Sequence, residues 1–199
     1  PGMIIQFSTG GRGRDQAARG NALDLAPDMA SLSTGSVNFP TIVYENAAWL
    51  VTELATRMQQ HRVRPEIELF DLSHIYGARR LIDAGLMDER PHVQVVMGVK
   101  NALPAEERLL DLMLGEIKLL LPHATWTAAG IGANQARVMG WALARGADAV
   151  RTGLEDNIRV GRERLAASNA ELVGMAAEMV RAHGRTVATP AEARAALFL

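Results

Sequence analysis

The run Ala149-Val150-Arg151-Thr152-Gly153-Leu154-Glu155-Asp156-Asn157 begins as an apolar strand and ends by bringing one cation and two carboxylates together. With side chains alternating between faces, Arg151, Gly153 and Glu155 point one way, and Asp156 stands where the strand gives out into a loop. Opposite charges gathered at a strand exit are a site-like grouping of titratable groups. The same residues also describe a solvated ion pair, which contributes little to stability or chemistry. The rest of the chain has to decide between the two.

Glu68 is the next residue of this kind. In Glu66-Ile67-Glu68-Leu69-Phe70-Asp71, residues 66, 68 and 70 share one face while Ile67 and Leu69 take the other. A carboxylate on an inward face must be paired, hydrogen-bonded or neutralised, because burying it alone costs several kcal/mol. It could equally be a structural bridge between strands. Phe7-Ser8-Thr9-Gly10-Gly11-Arg12-Gly13 offers hydroxyls and backbone N–H groups that could cradle a carboxylate or phosphate, although glycine turns of this sort are common. Ser31 through Phe39 adds hydroxyls at another strand exit, where a plain hydroxyl turn is the simpler account. Of the histidines at 61, 74, 92, 123 and 183, only His74 directly follows a strand's carboxyl end. There is no H-x-H and no H-E-x-x-H, so the chain shows no complete metal site of its own.

Composition narrows the partners. The 21 basic and 22 acidic residues give a net charge of −1 with no long run of either sign, which leaves no electrostatic footprint for nucleic acid or an anionic membrane. With no cysteine, disulfides, thiolate ligands and a cysteine nucleophile are excluded. No apolar run is long enough to span a bilayer and no cleavable signal is visible, so a cytoplasmic location is the default expectation. A small molecule or another subunit is the expected partner. The chain starts at Pro1 and enters an apolar strand almost at once, which suggests that residues upstream are absent.

The elements that would position these residues alternate along the whole chain. Strands are predicted at Met3 to Thr9, Met29 to Leu32, Glu66 to Leu72, His92 to Val99, Trp126 to Ile131 and Ala149 to Leu154. Helices are predicted at Tyr44 to His61, His74 to Ala84, Ala105 to Leu120, Asn134 to Ala144, Asn169 to Ala182 and Ala191 to Leu197. Pro104 followed by acids, Ser168 with Glu171, and Thr189-Pro190-Ala191-Glu192 mark helix starts, and Gly184 marks a helix end. Strand and helix in alternation imply parallel strands with helical crossovers. All six strands run out into small or polar residues, which suits a barrel with its site at the carboxyl ends better than a doubly wound sheet. The expected fold is α/β, a (β/α)8 TIM barrel present as about six C-terminal units in a single partial domain.

Taken as a set, the segments around Ser8, Ser31, Glu68, Ala129-Gly130-Ile131-Gly132, Arg151 through Asn157 and Ser168 through Val173 resemble the β-keto acid cleavage enzymes, typified by the 3-keto-5-aminohexanoate cleavage enzyme. The resemblance implies a zinc-dependent barrel that condenses a β-keto acid with acetyl-CoA, giving acetoacetate and a new acyl-CoA, in a homotetramer. It assigns Glu155 as the carboxylate zinc ligand and Asp156 as the acid/base residue supported by Arg151. Glu68 becomes a second active-site carboxylate, with Ser8, Ser31, Gly10 and Gly11 holding the substrate carboxylate. Ser31 is often threonine in such enzymes, a change that keeps the hydroxyl. The family's two further zinc ligands form an H-x-H pair on a strand that this chain lacks. Two other readings stay open: a barrel binding a phosphorylated substrate through Gly10-Gly11-Arg12-Gly13, and an inactive or assembly-only fragment.

Overall fold

The computed structural model describes residues 2–11 and 15–199. Its framework is a five-stranded parallel sheet with the order β1-β2-β5-β6-β7. These strands are β1 (Gln6–Phe7), β2 (Met29–Ser33), β5 (Arg64–Leu69), β6 (His92–Met97) and β7 (Thr125–Gly130). A short antiparallel pair, β3 (Val37–Asn38) and β4 (Val43–Tyr44), rises between β2 and the helix that follows. The helices are α1 (Ala48–His61), α2 (Leu72–Asp83), α3 (Glu107–Leu120), α4 (Gln135–Ala144), α5 (Asn169–Ala182) and α6 (Pro190–Leu197).

Strand alternation divides the sheet into two chemically different faces. Ala30, Leu32, Ile67, Leu69, Val93, Val95, Met97 and Ala128 join Leu50, Leu54, Met58, Ile75, Leu110 and Met113 of the helices in one continuous apolar core. The register lines up the opposite face in rows: Ser31, Glu66, His92 and Thr125 stand abreast, and Ser33, Glu68, Gln94 and Thr127 form the next row. Above them Val37, Tyr44, Phe70, Val96 and Ala129 close a small apolar cluster. Glu66, Glu68 and Phe70 therefore share a face, as the alternation predicts.

Several local signals behave as the sequence indicates. Thr189 and Glu192 form a reciprocal capping box with Pro190 at the first helical position. Ser168 Oγ accepts from Glu171 N–H, but the Glu171 carboxylate accepts from Ala167 N–H and pairs with Arg164. Gly184, at φ +72°, follows the end of α5. The α3 helix begins at Glu107 rather than Ala105, with Glu106 extended at the cap.

Two expectations need correction, and one further element was not among them. Only Gln6–Phe7 of the run from Met3 to Thr9 pairs as a strand; at its amino end Ile5 C=O accepts from Met29 N–H while Ile5 N–H donates to the Asp28 carboxylate, and at its other end Thr9 N–H donates to the Ser31 hydroxyl. The segment from Gln16 to Leu25 coils into a 3-10 helix that no apolar periodicity announces. The run from Ala149 to Leu154 forms no strand: Asp148 N–H and Ala149 N–H both donate to Trp126 C=O, no regular ladder follows, and the chain has entered a turn by Leu154. Trp126 N–H donates to the Asp148 carboxylate, and the Thr127 hydroxyl donates to Ala149 C=O. The result is an α/β partial barrel whose polar concave face ends where the charged run begins.

Candidate active site

At the carboxyl end of this polar face, Arg151 organises the charges. Its Nε donates to Asp156 Oδ2 at 2.7 Å and its Nη2 to Asp156 Oδ1 at 2.8 Å, a bidentate clamp on a buried carboxylate. The same guanidinium lies 3.4 Å from the exposed Glu155 carboxylate and 3.9 Å from Glu68. Burial opposes the Arg151 charge, and the surrounding Asp156, Glu155 and Glu68 carboxylates more than restore it, lifting its pKa above the ordinary value.

The turn that presents Asp156 is built locally. Gly153 takes φ +152°, a conformation side chains rarely allow, and its carbonyl accepts from Asp156 N–H and Asn157 N–H. Gln135 at the start of α4 accepts from the Thr152 hydroxyl and donates to Gly153 C=O. Asp156 C=O accepts from Gly132 N–H and Leu154 N–H is held by the Asn169 side chain. The Gly130-Ile131-Gly132 stretch thus serves as a buttress for the charged turn.

Below the clamp, a chain of hydrogen bonds reaches the floor of the polar face. Arg151 Nη1 donates to Gln94 Oε1 at 2.9 Å, and Gln94 Nε2 donates to Glu66 Oε1 at 3.0 Å. Gln6 Nε2 donates to the same oxygen at 2.8 Å, while His92 Nε2 stands 3.4 Å from Glu66 Oε2 and its Nδ1 meets the Thr125 hydroxyl at 2.9 Å. Burial pushes the Glu66 carboxyl up, but the His92 contact, the Gln6 amide and the Arg151 charge outweigh it and hold the group below the usual range. Glu68 has weaker support. Burial pushes it up to about 6, with the Ser33 hydroxyl and Arg151 opposing, and Glu66 and Glu155 adding to the rise. Two carboxylates two residues apart are driven in opposite directions by their neighbours.

The serine turn faces this group. Ser8 Oγ accepts from Gly10 N–H at 3.0 Å, and Ser31 Oγ accepts from Thr9 N–H at 3.2 Å. Accepting one hydrogen bond leaves each hydroxyl its proton, the group that an anionic ligand would need. Ser8, Ser31, Glu68, Arg151 and Glu155 all line a cleft of about 560 Å³ over the polar face. A second opening of about 320 Å³ at the mouth is bordered by Ser8, Gly10, Glu68, Lys100, Glu155 and Asp156. The structure therefore brings Ser8, Ser31, Gly10, Glu68, Arg151, Glu155 and Asp156 together. Gly11 continues the turn without lining either opening, and Arg12 and Gly13, invoked in the phosphate reading, lie outside the described residues.

His74 does not reach the cleft. Its buried ring packs against Gly35, and its Nδ1 accepts from Phe70 N–H. Burial lowers its pKa and keeps it neutral near pH 7. Sequence reasoning missed three contributors: Gln94, whose only signal is one amide inside the apolar run His92–Met97; Lys100 at the mouth; and Arg19. The buried Arg19 guanidinium donates to Thr9 C=O, Glu45 C=O, the Tyr44 hydroxyl and Asn46 Oδ1, tying the serine turn to the segment after β4.

Among the described residues no three His, Asp or Glu side chains converge on a metal position. Glu155 is a single exposed carboxylate, and Asp156 is occupied by Arg151. A zinc site needs at least three protein ligands, so the donors present do not by themselves fit the ion.

Comparison with known proteins bears on the family and the fold. The family model for beta-keto acid cleavage enzyme matches residues 1–199. The 3-oxoadipate:acetyl-CoA acetyltransferase of Cupriavidus necator is 50% identical over 199 residues, covering 100% of this chain and 70% of that protein. A 3-keto-5-aminohexanoate cleavage enzyme of Acetoanaerobium sticklandii is 36% identical over 196 residues, covering 98% of this chain and 70% of that one. In solved structures, ObcA in its ternary complex with a C4-CoA adduct and oxalate superposes with a TM-score of 0.84 at 21% identity. That match covers 100% of this chain and 53% of ObcA, so the chain spans about half the length of that structure and shares its fold. With a family model matched from end to end and a relative at half identity, this chain belongs to the beta-keto acid cleavage enzyme family.

Proposed function

We propose that this chain carries the carboxylate and arginine portion of a site that condenses a β-keto acid with acetyl-CoA, giving acetoacetate and a new acyl-CoA. The observation that supports it best is the Arg151–Asp156 clamp standing beside Glu68, whose pKa near 6 lets it exchange a proton close to neutrality. The acetyl-CoA co-substrate is inferred from the name of the Cupriavidus necator relative.

In the reading we adopt, the Ser8 and Ser31 hydroxyls and the Gly10 and Gly11 backbone bind the keto acid's carboxylate, as the resemblance assigns them. A base removes a proton from the carbon between carboxylate and ketone. The carbanion attacks the thioester carbonyl, forming one carbon–carbon bond. Collapse of the adduct breaks the thioester carbon–sulfur bond and frees the coenzyme A thiolate, which attacks the original ketone. The bond from the carbanion carbon to the original acyl group then breaks, leaving the acyl group on sulfur, and the acetoacetate carbanion takes back the proton that the base removed. Carbon, sulfur and proton balance without an oxidant or reductant. Asp156, oriented by Arg151, is the assigned acid/base residue, and Glu68 is a second proton holder at the same cleft. Glu155 is the one zinc ligand that the resemblance assigns to this chain; zinc held by a completed ligand set would supply Lewis-acid polarisation of a keto oxygen. We also propose that the protein assembles as a homotetramer, as the family resemblance implies.

Acetoacetate release from acetyl-CoA and a panel of β-keto acids led by 3-oxoadipate tests the reading. It is measured for this chain alone and joined to the part of the Cupriavidus necator relative outside the match. Acetoacetate formed by the joined protein and abolished by Asp156→Asn supports the proposal. Release that is absent in both forms, or unaffected by that substitution, refutes it.

A further inference from the structure

Arg19, on the 3-10 helix Gln16–Leu25, is a buried cation that the proposed chemistry leaves unused. Its Nε donates to Thr9 C=O at 2.7 Å and its Nη1 to Glu45 C=O at 2.8 Å. Its Nη2 donates to the Tyr44 hydroxyl and to Asn46 Oδ1, both at 2.7 Å. All four acceptors are neutral. Among the described residues Arg19 forms no salt bridge with a carboxylate; Glu45, which meets it through the backbone, gives its own carboxylate to Gln16 Nε2. A guanidinium is a costly choice for a mere tie, because neutral dipoles offset the removal of a full charge from water only in part.

The serine turn lies directly in front of this charge. Thr9 C=O and Gly10 N–H belong to one peptide unit, so the Arg19 bond to that carbonyl makes the Gly10 amide a stronger donor. Gly10 N–H donates to Ser8 Oγ at 3.0 Å, and a hydroxyl that accepts from a polarised amide gives up its own proton more strongly in a hydrogen bond. Thr9 supplies a second branch: its N–H donates to Ser31 Oγ at 3.2 Å and its hydroxyl to Ser31 C=O at 2.7 Å. Holding Thr9 therefore sets both serines. Thr9 and Arg19 are buried while Ser8 and Gly10 are exposed, so the charge stays behind the turn, where water screens it little.

We propose that Arg19 is the positioning residue of the carboxylate-binding turn. It fixes Thr9 and, through the peptide from Thr9 to Gly10 and the two serine hydroxyls, lends positive potential to a bound carboxylate that it does not itself touch. The assignment rests on the reading of Ser8 and Ser31 as the keto acid's carboxylate site, and it adds the source of that site's charge.

Steady-state kinetics of the joined protein with 3-oxoadipate separate this role from a purely structural one. Arg19→Gln keeps an amide donor and removes the charge; KM should rise about tenfold or more, the scale of one charge-assisted contact, with kcat within about threefold of the parent. Arg19→Lys keeps the charge with an incomplete set of bonds, and its KM should lie nearer the parent's. A structural tie predicts that the two variants behave alike, since neither rebuilds the four-bond fork, and equal KM values in the two would overturn the proposal. Ser8→Ala separates the two levels of the reading. Unchanged KM in Ser8→Ala would overturn the carboxylate site and the role of Arg19 with it, whereas a raised KM there beside an unchanged KM in Arg19→Gln would overturn the role of Arg19 alone. A measurement on the parent sequence needs no folded variant: in the isotope-labelled joined protein, acetoacetate should shift the Arg19 Nε–H and Gly10 amide resonances along one saturation curve, and uncharged methyl acetoacetate should shift neither. An Arg19 Nε–H resonance that stays fixed while Gly10 moves would overturn the relay.

Discussion

Replacing Glu68 with glutamine tests the electrostatics of the cleft independently of catalysis. The carboxyl is raised from its ordinary 4.5 to about 6 in the folded protein, mainly by burial. Between those values the native state holds more proton than the unfolded chain, so stability falls as pH rises through the window. The stabilising contribution of the neutral form is complete below pH 4.5 and gone above the folded value. At about 1.4 kcal/mol per pKa unit, ionising this side chain costs the fold about 2 kcal/mol. Glutamine cannot ionise, and its carbonyl can still accept from the Ser33 hydroxyl. Urea denaturation of parent and Glu68→Gln between pH 4 and pH 8 should therefore show the variant gaining about 2 kcal/mol relative to the parent, with most of the change between pH 4.5 and 6.5. A difference that stays flat, or that falls as pH rises, would refute the view that burial dominates at Glu68.

Removing the clamp should be costly: Arg151→Ala leaves Asp156 buried without its cation, and urea denaturation at pH 7 should show a loss of about 2–3 kcal/mol, reduced from the fully buried case because Arg151 is partly exposed. Arg151→Lys should lose less stability, yet acetoacetate release by the joined protein should still fall at least tenfold, because one ammonium cannot reproduce the two parallel bonds. At Gly77 an added methyl would lie 2.5 Å from Thr34 C=O, so Gly77→Ala should cost about 1–3 kcal/mol in denaturant melts as α2 is pushed off the exit of β2. Arg194 clamps α6 to Asp28 at 2.7 Å and also reaches Gly2 and Met3 carbonyls, so Arg194→Ala should speed amide exchange across residues 186–199 while leaving β5 to β7 protected.

How far the fold was legible depended on how local its causes are. The runs Met29–Ser33, Arg64–Leu69, His92–Met97 and Thr125–Gly130 carry their own alternation or apolar content, and α2, α5 and α6 carry side-chain caps, so these elements are legible to within a few residues. The 3-10 stretch after the serine turn and the β3–β4 pair have no such pattern; tertiary contacts such as those of Arg19 and Asn46 hold that region. At the site, Arg151, Glu155 and Asp156 were recognisable because charge clustered at a strand exit is visible in one dimension. Gln94 and Arg19 were not, since their roles come from partners 57 and 25 to 27 residues away.

Gln94 sets a requirement on the sequence that reaches beneath the cleft. Its amide is directional: the carbonyl end must face the Arg151 guanidinium and the amino end must face Glu66. Glutamate there would set a third negative charge against Glu66, lysine would oppose Arg151, and a hydrocarbon of equal length would leave both charged neighbours short of a partner. One uncharged group with a donor at one end and an acceptor at the other satisfies both. This makes position 94 as restrictive as the charged turn itself, although its side chain is buried beneath that turn. Substitutions tolerated elsewhere on β6 should therefore fail here by tilting Arg151, loosening its grip on Asp156 from below.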